Sequence, residues 1–212
     1  TGKQGNAVVK QLLKNNWKVR AFTRNKNNEK LTSINDSNLE IFEGDLSSQE
    51  SLTEAMNGQY GVYSVQPIIV DDVEEELRQG KMIIHTAEQQ DIQPIVYSTA
   101  GGVNRDRIGP HFEALADIEN ELKASSLNYT IIKPSFFMDN FLRITTVENG
   151  EISIPEFIDR DVKFAMISSI DIAKIAANIF ASREDYNHQA IEIASDELTL
   201  KEVVKAFATV TG

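Results

Sequence analysis

The chain has 212 residues, 32 of them acidic and 21 basic, so it carries a net charge of −11. This charge argues against nucleic acid as a direct partner, because phosphate contacts need clustered cations. The absence of cysteine excludes disulfides, thiol nucleophiles and cysteine-ligated metals. No apolar run approaches the ~20 residues that span a bilayer. We therefore expect a cytoplasmic globular protein with no membrane partner.

Helical and extended patterns alternate along the chain. Two signals predict the helices: apolar side chains spaced three and four residues apart, and serine or threonine caps. The predicted helices cover 6–16, 47–56, 73–90 and 169–182, with another that begins at Pro110 and a last one that begins with Thr199 and Glu202. The second helix has the same capping-box spacing, at Ser47 and Glu50. Short apolar runs predict strands over 17–23, 39–42, 61–66, 94–100, 129–134, 163–167 and 189–194.

Strands and helices that alternate at this spacing predict the α/β class, with right-handed βαβ units in a doubly wound, Rossmann-like parallel sheet. Residues 1–134 are expected to form the dinucleotide-binding domain. Residues 135–212 are expected to form a small α+β substrate or partner lobe that partly folds back onto the sheet. Such sheets open with an apolar strand before a glycine-rich turn, and this sequence begins within the turn. We expect that strand to be missing from the middle of the sheet, with further residues before Thr1 and after Gly212.

The start of the chain has features of an anion site. Gly2 and Gly5 precede a helix, where backbone N–H groups and the helix dipole favour a pyrophosphate; a helix-start turn without a ligand would look the same. Arg24 lies 19 residues after Gly5, and no acid precedes Glu29. In dinucleotide folds an arginine at this place selects the 2′-phosphate of NADP. The alternative is an ordinary exposed arginine among solvated surface cations.

Ordered segments along nearly the whole chain resemble the NmrA-like proteins, an atypical group of short-chain dehydrogenases/reductases. The segments are TGKQGNAVVKQLL, VRAFTRN, FEGDLSSQESLTEAMNG, GVYSVQP, PIVYSTAGG, NYTIIKPSFFMDNF and FAMISSIDIAKIAANIF. The resemblance implies that NADP(H) is the cofactor. No metal site is expected, because His85 and His188 are far apart in sequence and show no metal-ligand spacing.

The resemblance also implies a role for each matching residue. The pyrophosphate would lie on Gly2, Lys3, Gln4 and Gly5, the 2′-phosphate on Thr23 and Arg24, and the adenine by Asp45 and Leu46. The ribose side would be lined by Val65, Gln66 and Pro67, and the nicotinamide by Ser98, Thr99, Pro134, Phe136 and Phe137. The substrate would contact His111, Phe136, Phe137 and Asn140. The aromatic residues of this last group also fit a core cluster.

The catalytic pair of short-chain dehydrogenases is a tyrosine with a lysine four residues later, and it is absent. His111 stands in the tyrosine place and Leu115 in the lysine place, where Leu115 continues an apolar stripe with Ile118 and Leu122. His111 is a candidate proton donor, because the unperturbed imidazole titrates near neutrality, although a cap or surface residue fits equally. Ser98 is the second catalytic candidate.

Two functions remain open. One is NADPH-dependent reduction of a quinone-type small acceptor, which demands less of a protein acid because the product anion is delocalised. The other is a catalytically silent NADP(H) sensor that regulates a protein partner, which the resemblance to NmrA regulators implies.

Overall fold

The computed structural model describes residues 2–69, 71–103, 109–148 and 151–211. The helices are α1 Lys3–Lys14, α2 Glu29–Thr32, α3 Gln49–Met56, α4 Val73–Gln89, α5 Pro110–Ala124, α6 Phe141–Ile144, α7 Ser169–Ala181, α8 Arg183–Tyr186 and α9 Leu200–Thr211. The strands are β1 Val19–Thr23, β2 Leu39–Glu43, β3 Val62–Val65, β4 Ile95–Ser98, β5 Tyr129–Pro134, β6 Phe136–Phe137, β7 Thr146–Glu148, β8 Glu151–Ser153, β9 Phe164–Ile167, β10 Gln189–Ile193 and β11 Asp196–Leu198. A 3₁₀ turn covers Met138–Asn140.

Each predicted helix and strand is present, and most have shifted ends. The capping box predicted at Ser47 is wrong: Ser48 caps α3, accepting from the Ser51 amide, while the Ser47 hydroxyl bonds Glu75 of α4. The capping box of α9 is confirmed, because Thr199 and Glu202 bond each other reciprocally at 2.8–3.1 Å. The unpredicted elements are α2, α6, α8, β6, β7, β8 and β11, each of two to four residues.

The main sheet is parallel, as predicted, with strand order β10-β5-β4-β3. Within the described residues, β1 pairs in parallel with β2 alone, so the two strands form a separate piece. An apolar cavity of about 300 Å³ lies between the pieces, lined by Val8, Leu12, Phe22, Met56 and Val62 among others. This gap is in the place where the first strand of the doubly wound sheet was expected to be missing.

Helices cover both faces of the main sheet. Side chains alternate along a strand, so Ile95 and Tyr97 face a core formed with α3, α4 and α5, whereas Val96 faces the core formed with α1 and α7. At Gly80, α4 approaches α5 so closely that a Cβ would overlap the side chain of Ile118. Burial on both faces explains why these strands are continuously apolar.

Residues after 135 contribute to both sheets. β10 joins the main sheet beside β5, whereas β6, β9 and β11 form a small sheet over a separate core that includes Phe141, Met166 and Leu200. The division into two domains at residue 134 stays a prediction. Among the described residues, no helix is both long enough and apolar enough to cross a membrane.

Candidate functional site

A cleft of about 1290 Å³ follows the carboxyl ends of the parallel strands, where doubly wound sheets bind their ligands. Every residue assigned to the cofactor or substrate from sequence lines it: Gly2, Lys3, Gln4, Gly5, Thr23, Arg24, Asp45, Leu46, Val65, Gln66, Pro67, Ser98, Thr99, His111, Pro134, Phe136, Phe137 and Asn140. The structure therefore brings these side chains together. Their individual roles stay predictions.

The start of α1 presents backbone donors to the cleft. Gly2 is its N-cap without a side-chain hydrogen bond, and its first turn holds no acidic residue. The first N–H groups of a helix have no partner within the helix. A Cβ built on Gly2 or Gly5 meets no atom within 4 Å, so both glycines border open space. A pyrophosphate fits this arrangement, since the donors and the helix dipole both favour an anion.

The side chain of Gln4 points into the protein. It is buried, and its Nε2 donates to the Ser98 hydroxyl at 3.0 Å. Lys3 reaches the 3₁₀ turn after β6, where its Nζ donates to the carbonyl of Asp139 at 2.9 Å. These contacts connect the start of α1 with β4 and with the 3₁₀ turn. Because both side chains have partners in the protein, mainly the backbone groups of the first turn of α1 remain for a ligand.

Arg24 and Asp45 give the lining of the cleft both signs of charge. Arg24 is exposed directly after β1. Two bonds from Ser47, one from its amide at 2.8 Å, lower the pKa of Asp45, and the charge of Arg24 lowers this pKa further. Asp45 is thus a carboxylate at neutral pH, while Arg24 offers the planar donor group that suits a phosphate.

His111 is held by a buried carboxylate that the sequence reading did not single out. Its Nδ1 lies 2.9 Å and 3.0 Å from the two carboxylate oxygens of Glu76, whose side chain is 0% exposed. In the sequence, Glu76 is one of five acids at the start of α4, which match the helix dipole as a group. Only the packing shows that this one points inward, towards α5.

A second buried carboxylate, Glu119, contacts Thr99 and Lys133 of the cleft lining. Its Oε2 lies 2.9 Å from Lys133 Nζ and 3.2 Å from Lys123 Nζ, and its Oε1 accepts a hydrogen bond from the Thr99 hydroxyl at 3.0 Å. The sequence reading missed this network as well. Two features of the sequence could have indicated this network: a lysine inside the otherwise apolar strand 129–134, and an acidic residue on the apolar face of α5.

The hydroxyls of Tyr63 and Tyr97 are buried, and both side chains are neutral phenols at neutral pH. Burial raises the pKa of Tyr63, an effect that its contact with Ser98 opposes. Burial raises the pKa of Tyr97 even without other groups, and the charges of Glu119 and Glu76 raise it further. Neither residue therefore supplies the tyrosinate that a short-chain dehydrogenase uses.

The aromatic segment after β5 both lines the cleft and packs in a core. Phe136 stacks on Phe157 with ring centres 5.1 Å apart and contacts Phe141 and Phe164, while Phe137 packs against the core shared by α1 and α7. Leu115, in the place of the lysine, is buried with Ile118 as expected. No cluster of three or more metal-ligating side chains is found among the described residues.

The family model described as the NmrA-like family matches residues 1–212. The chain belongs to the NmrA-like family. An NmrA-like family domain-containing oxidoreductase of Penicillium ochrochloron, ptmS, is 26% identical over 239 residues, covering 100% of this chain and 71% of that protein.

Solved structures share the fold. NmrA, a negative transcriptional regulator crystallised with NADP, superposes with a TM-score of 0.85 at 16% identity, covering 98% of this chain and 68% of that one. An NADPH-dependent quinone oxidoreductase from Escherichia coli, complexed with NADPH, superposes with a TM-score of 0.77 at 19% identity, covering 100% and 73%. The doubly wound α/β architecture predicted from the sequence is confirmed.

Replacing Glu119 by glutamine is expected to destabilise this NmrA-like fold strongly. The change leaves Lys133, whose side chain is 11% exposed, without its carboxylate, and breaking a buried ion pair costs about 3–5 kcal/mol. Urea unfolding followed by circular dichroism measures the loss. The control is Glu121→Gln two positions along α5, where the partly exposed carboxylate pairs with Lys81 and His85 and a loss below about 1 kcal/mol is expected. Equal losses in the two variants would contradict the prediction.

Proposed function

We propose that this NmrA-like protein binds NADP(H) and reduces small conjugated acceptors of the quinone type. The observation that carries the proposal is one cleft that joins an uncapped, acid-free helix start to an exposed arginine directly after β1. The family includes proteins named as oxidoreductases, and a quinone oxidoreductase and the NmrA regulator share the fold. The proposed location stays the cytoplasm.

The residues that line the cleft match the successive parts of NADP(H) from one end of the molecule to the other. The backbone of Lys3–Gly5 would hold the pyrophosphate, with Thr23 and Arg24 on the 2′-phosphate and Asp45 and Leu46 beside the adenine. Val65, Gln66 and Pro67 would line the ribose side. Ser98, Thr99 and Pro134 would support the nicotinamide, with Phe136 and Phe137 closing over it. A volume of about 1290 Å³ also leaves room for an acceptor.

When bound, NADPH supplies a hydride, that is, two electrons and a hydrogen. The protein's part is to position the acceptor and to provide a proton. Phe136, Phe137 and Asn140 would form the acceptor wall, and His111 lies on the same cleft as the proposed proton donor. Ser98, the other proposed catalytic residue, adds a hydroxyl at the nicotinamide end.

The alternative is a silent NADP(H) sensor that regulates a protein partner. The specific observation in its favour is Leu115, which is 4% exposed and packs in the core where a catalytic lysine would stand. The fold shared with the NmrA regulator supports it as well. Both functions need the same cofactor cleft, so they differ in turnover and not in nucleotide binding.

Arg24→Ala is expected to weaken NADPH binding about tenfold to a hundredfold while leaving NADH binding nearly unchanged. A hydrogen bond to a charged group contributes about 1.5–3 kcal/mol, and only NADPH carries the 2′-phosphate. Calorimetric titration of both nucleotides measures the ratio. The matched control is Lys26→Ala, which removes a nearby cation that faces Glu43 at 3.9 Å. An unchanged NADPH-to-NADH affinity ratio in Arg24→Ala would count against this selector.

The protein is expected to oxidise NADPH in the presence of at least one quinone of a panel, and the rate should depend on both substrates. Stopped-flow or steady-state loss of NADPH absorbance measures this turnover, with the quinone omitted as the control. Tight NADPH binding without turnover on any acceptor would remove the enzyme and leave the sensor. Failure to bind either nicotinamide nucleotide would remove both functions.

A further inference from the structure

Two carboxylate–histidine pairs connect α4 to α5 within the described residues, and they differ in their surroundings. His85 Nε2 lies 2.8 Å from Glu121 on the protein surface, with side chains 50% and 32% exposed. His111 Nδ1 lies 2.9 Å from Glu76, whose side chain is fully buried. The second pair borders the cleft, because His111 is part of its lining.

The buried position of Glu76 needs an explanation beyond joining two helices. A carboxylate withdrawn from water is costly unless hydrogen bonds or an opposite charge compensate it. Glu76 lies in the first turn of α4, where an apolar side chain would pack without this cost. Its polar contacts are His111 Nδ1 and, at 3.4 Å, the amide of Ile69. The carboxylate is therefore directed chiefly at the imidazole.

The contact decides which nitrogen of His111 faces the cleft. An imidazole has two ring nitrogens, and a hydrogen bond at one fixes the tautomer and the direction of the other. Because Nδ1–H donates to Glu76, Nε2 is left on the far side of the ring. The side chain is 26% exposed and lines the cleft, so Nε2 is the nitrogen available to a bound molecule.

We propose that Glu76 is a positioning residue for proton delivery by His111, an inference that rests on the proposed reductase function. An acceptor carbonyl that has gained hydride from NADPH carries a negative oxygen. The Nε2–H bond of the imidazolium then breaks, its electron pair stays on nitrogen, and the proton forms the new O–H bond. His111 is left neutral, held by Glu76, and takes its next proton from solvent. A buried carboxylate orients a catalytic imidazole in the same way in hydrolase triads.

Other charged and titratable groups also border this end of the cleft. Lys133 of β5 and Arg143 of α6 line it. Tyr97 of β4 lies in the field of both Glu76 and Glu119. Glu76 differs from all of these because it contacts the imidazole directly. Replacing Glu76 by glutamine removes only the charge of this side chain. The variant therefore tests the contact between Glu76 and His111 while the other charged groups stay in place.

The test compares Glu76→Gln, Glu76→Asp and His111→Ala with the control Glu121→Gln, which alters the exposed pair between the same two helices. We expect His111→Ala to lower kcat about a hundredfold and Glu76→Gln about tenfold, with KM and the NADPH dissociation constant unchanged. Glu76→Asp should recover part of the loss. Glu121→Gln should match the unchanged protein.

A second readout needs no turnover. Nitrogen NMR of the imidazoles, with or without NADP⁺, should show His111 protonated at Nδ1 in the neutral ring and should lose this preference in Glu76→Gln. A neutral His111 protonated at Nε2 would overturn the proposed orientation. If Glu76→Gln leaves turnover unchanged, or if Glu121→Gln lowers it equally, the proposed role of Glu76 in proton delivery is overturned. The proposed reductase function is not affected by either result. Absence of turnover in the unchanged protein, with the Nδ1 preference present, would instead overturn the reductase and with it the delivery step.

Discussion

Parallel pairing of β3, β4, β5 and β10 is the constraint on which the cleft depends. Parallel strands end at one edge of a sheet, so each strand passes its next residues to the same crevice. Gln66, Thr99 and Ser135 follow three of these strands and all line that crevice. α1 starts at the same edge and is tied to β4 through the bond from Gln4 to Ser98. The backbone donors of α1 and the residues that follow these strands meet for this reason, whereas Arg24 lines the cleft from the end of β1, which pairs with β2 alone among the described residues.

The elements that sequence reasoning located well are those with their own local signals. β5 matches its predicted bounds, 129–134, because proline stops an apolar run. The start of α3 was misplaced because Ser47 and Ser48 are equivalent in local sequence, and only the contact from Ser47 to Glu75 of α4 separates them. β6 and β11 were missed because each is a short strand completed by pairing with β9.

The site shows the same division between local and tertiary information. Residues at and just after the strand ends line one cleft because topology alone brings them together. Glu76 and Glu119 were missed because a carboxylate on a helix is ordinarily solvated, and its direction is decided by what packs on it. Both lie behind the cleft wall, where their charges act on Tyr97 between them. Buried ionic groups add little stability over apolar ones, which favours a role for these two in holding cleft residues.

Among the described helices of eight or more residues, α1 and α5 begin without a side-chain cap. The N-termini of α3, α4 and α7 are capped, because backbone amides there donate hydrogen bonds to the side chains of Ser48, Asp72 and Ser168. α1 and α5 instead follow Gly2 and Gly109, neither of which can provide a side-chain cap. Both of these helices contribute cleft residues from their first turns, the backbone of Lys3–Gly5 and the imidazole of His111. A helix start that lacks its own cap keeps its donors and its positive dipole end for another partner. In a protein of net charge −11, this local field explains how an anionic nucleotide can still be held.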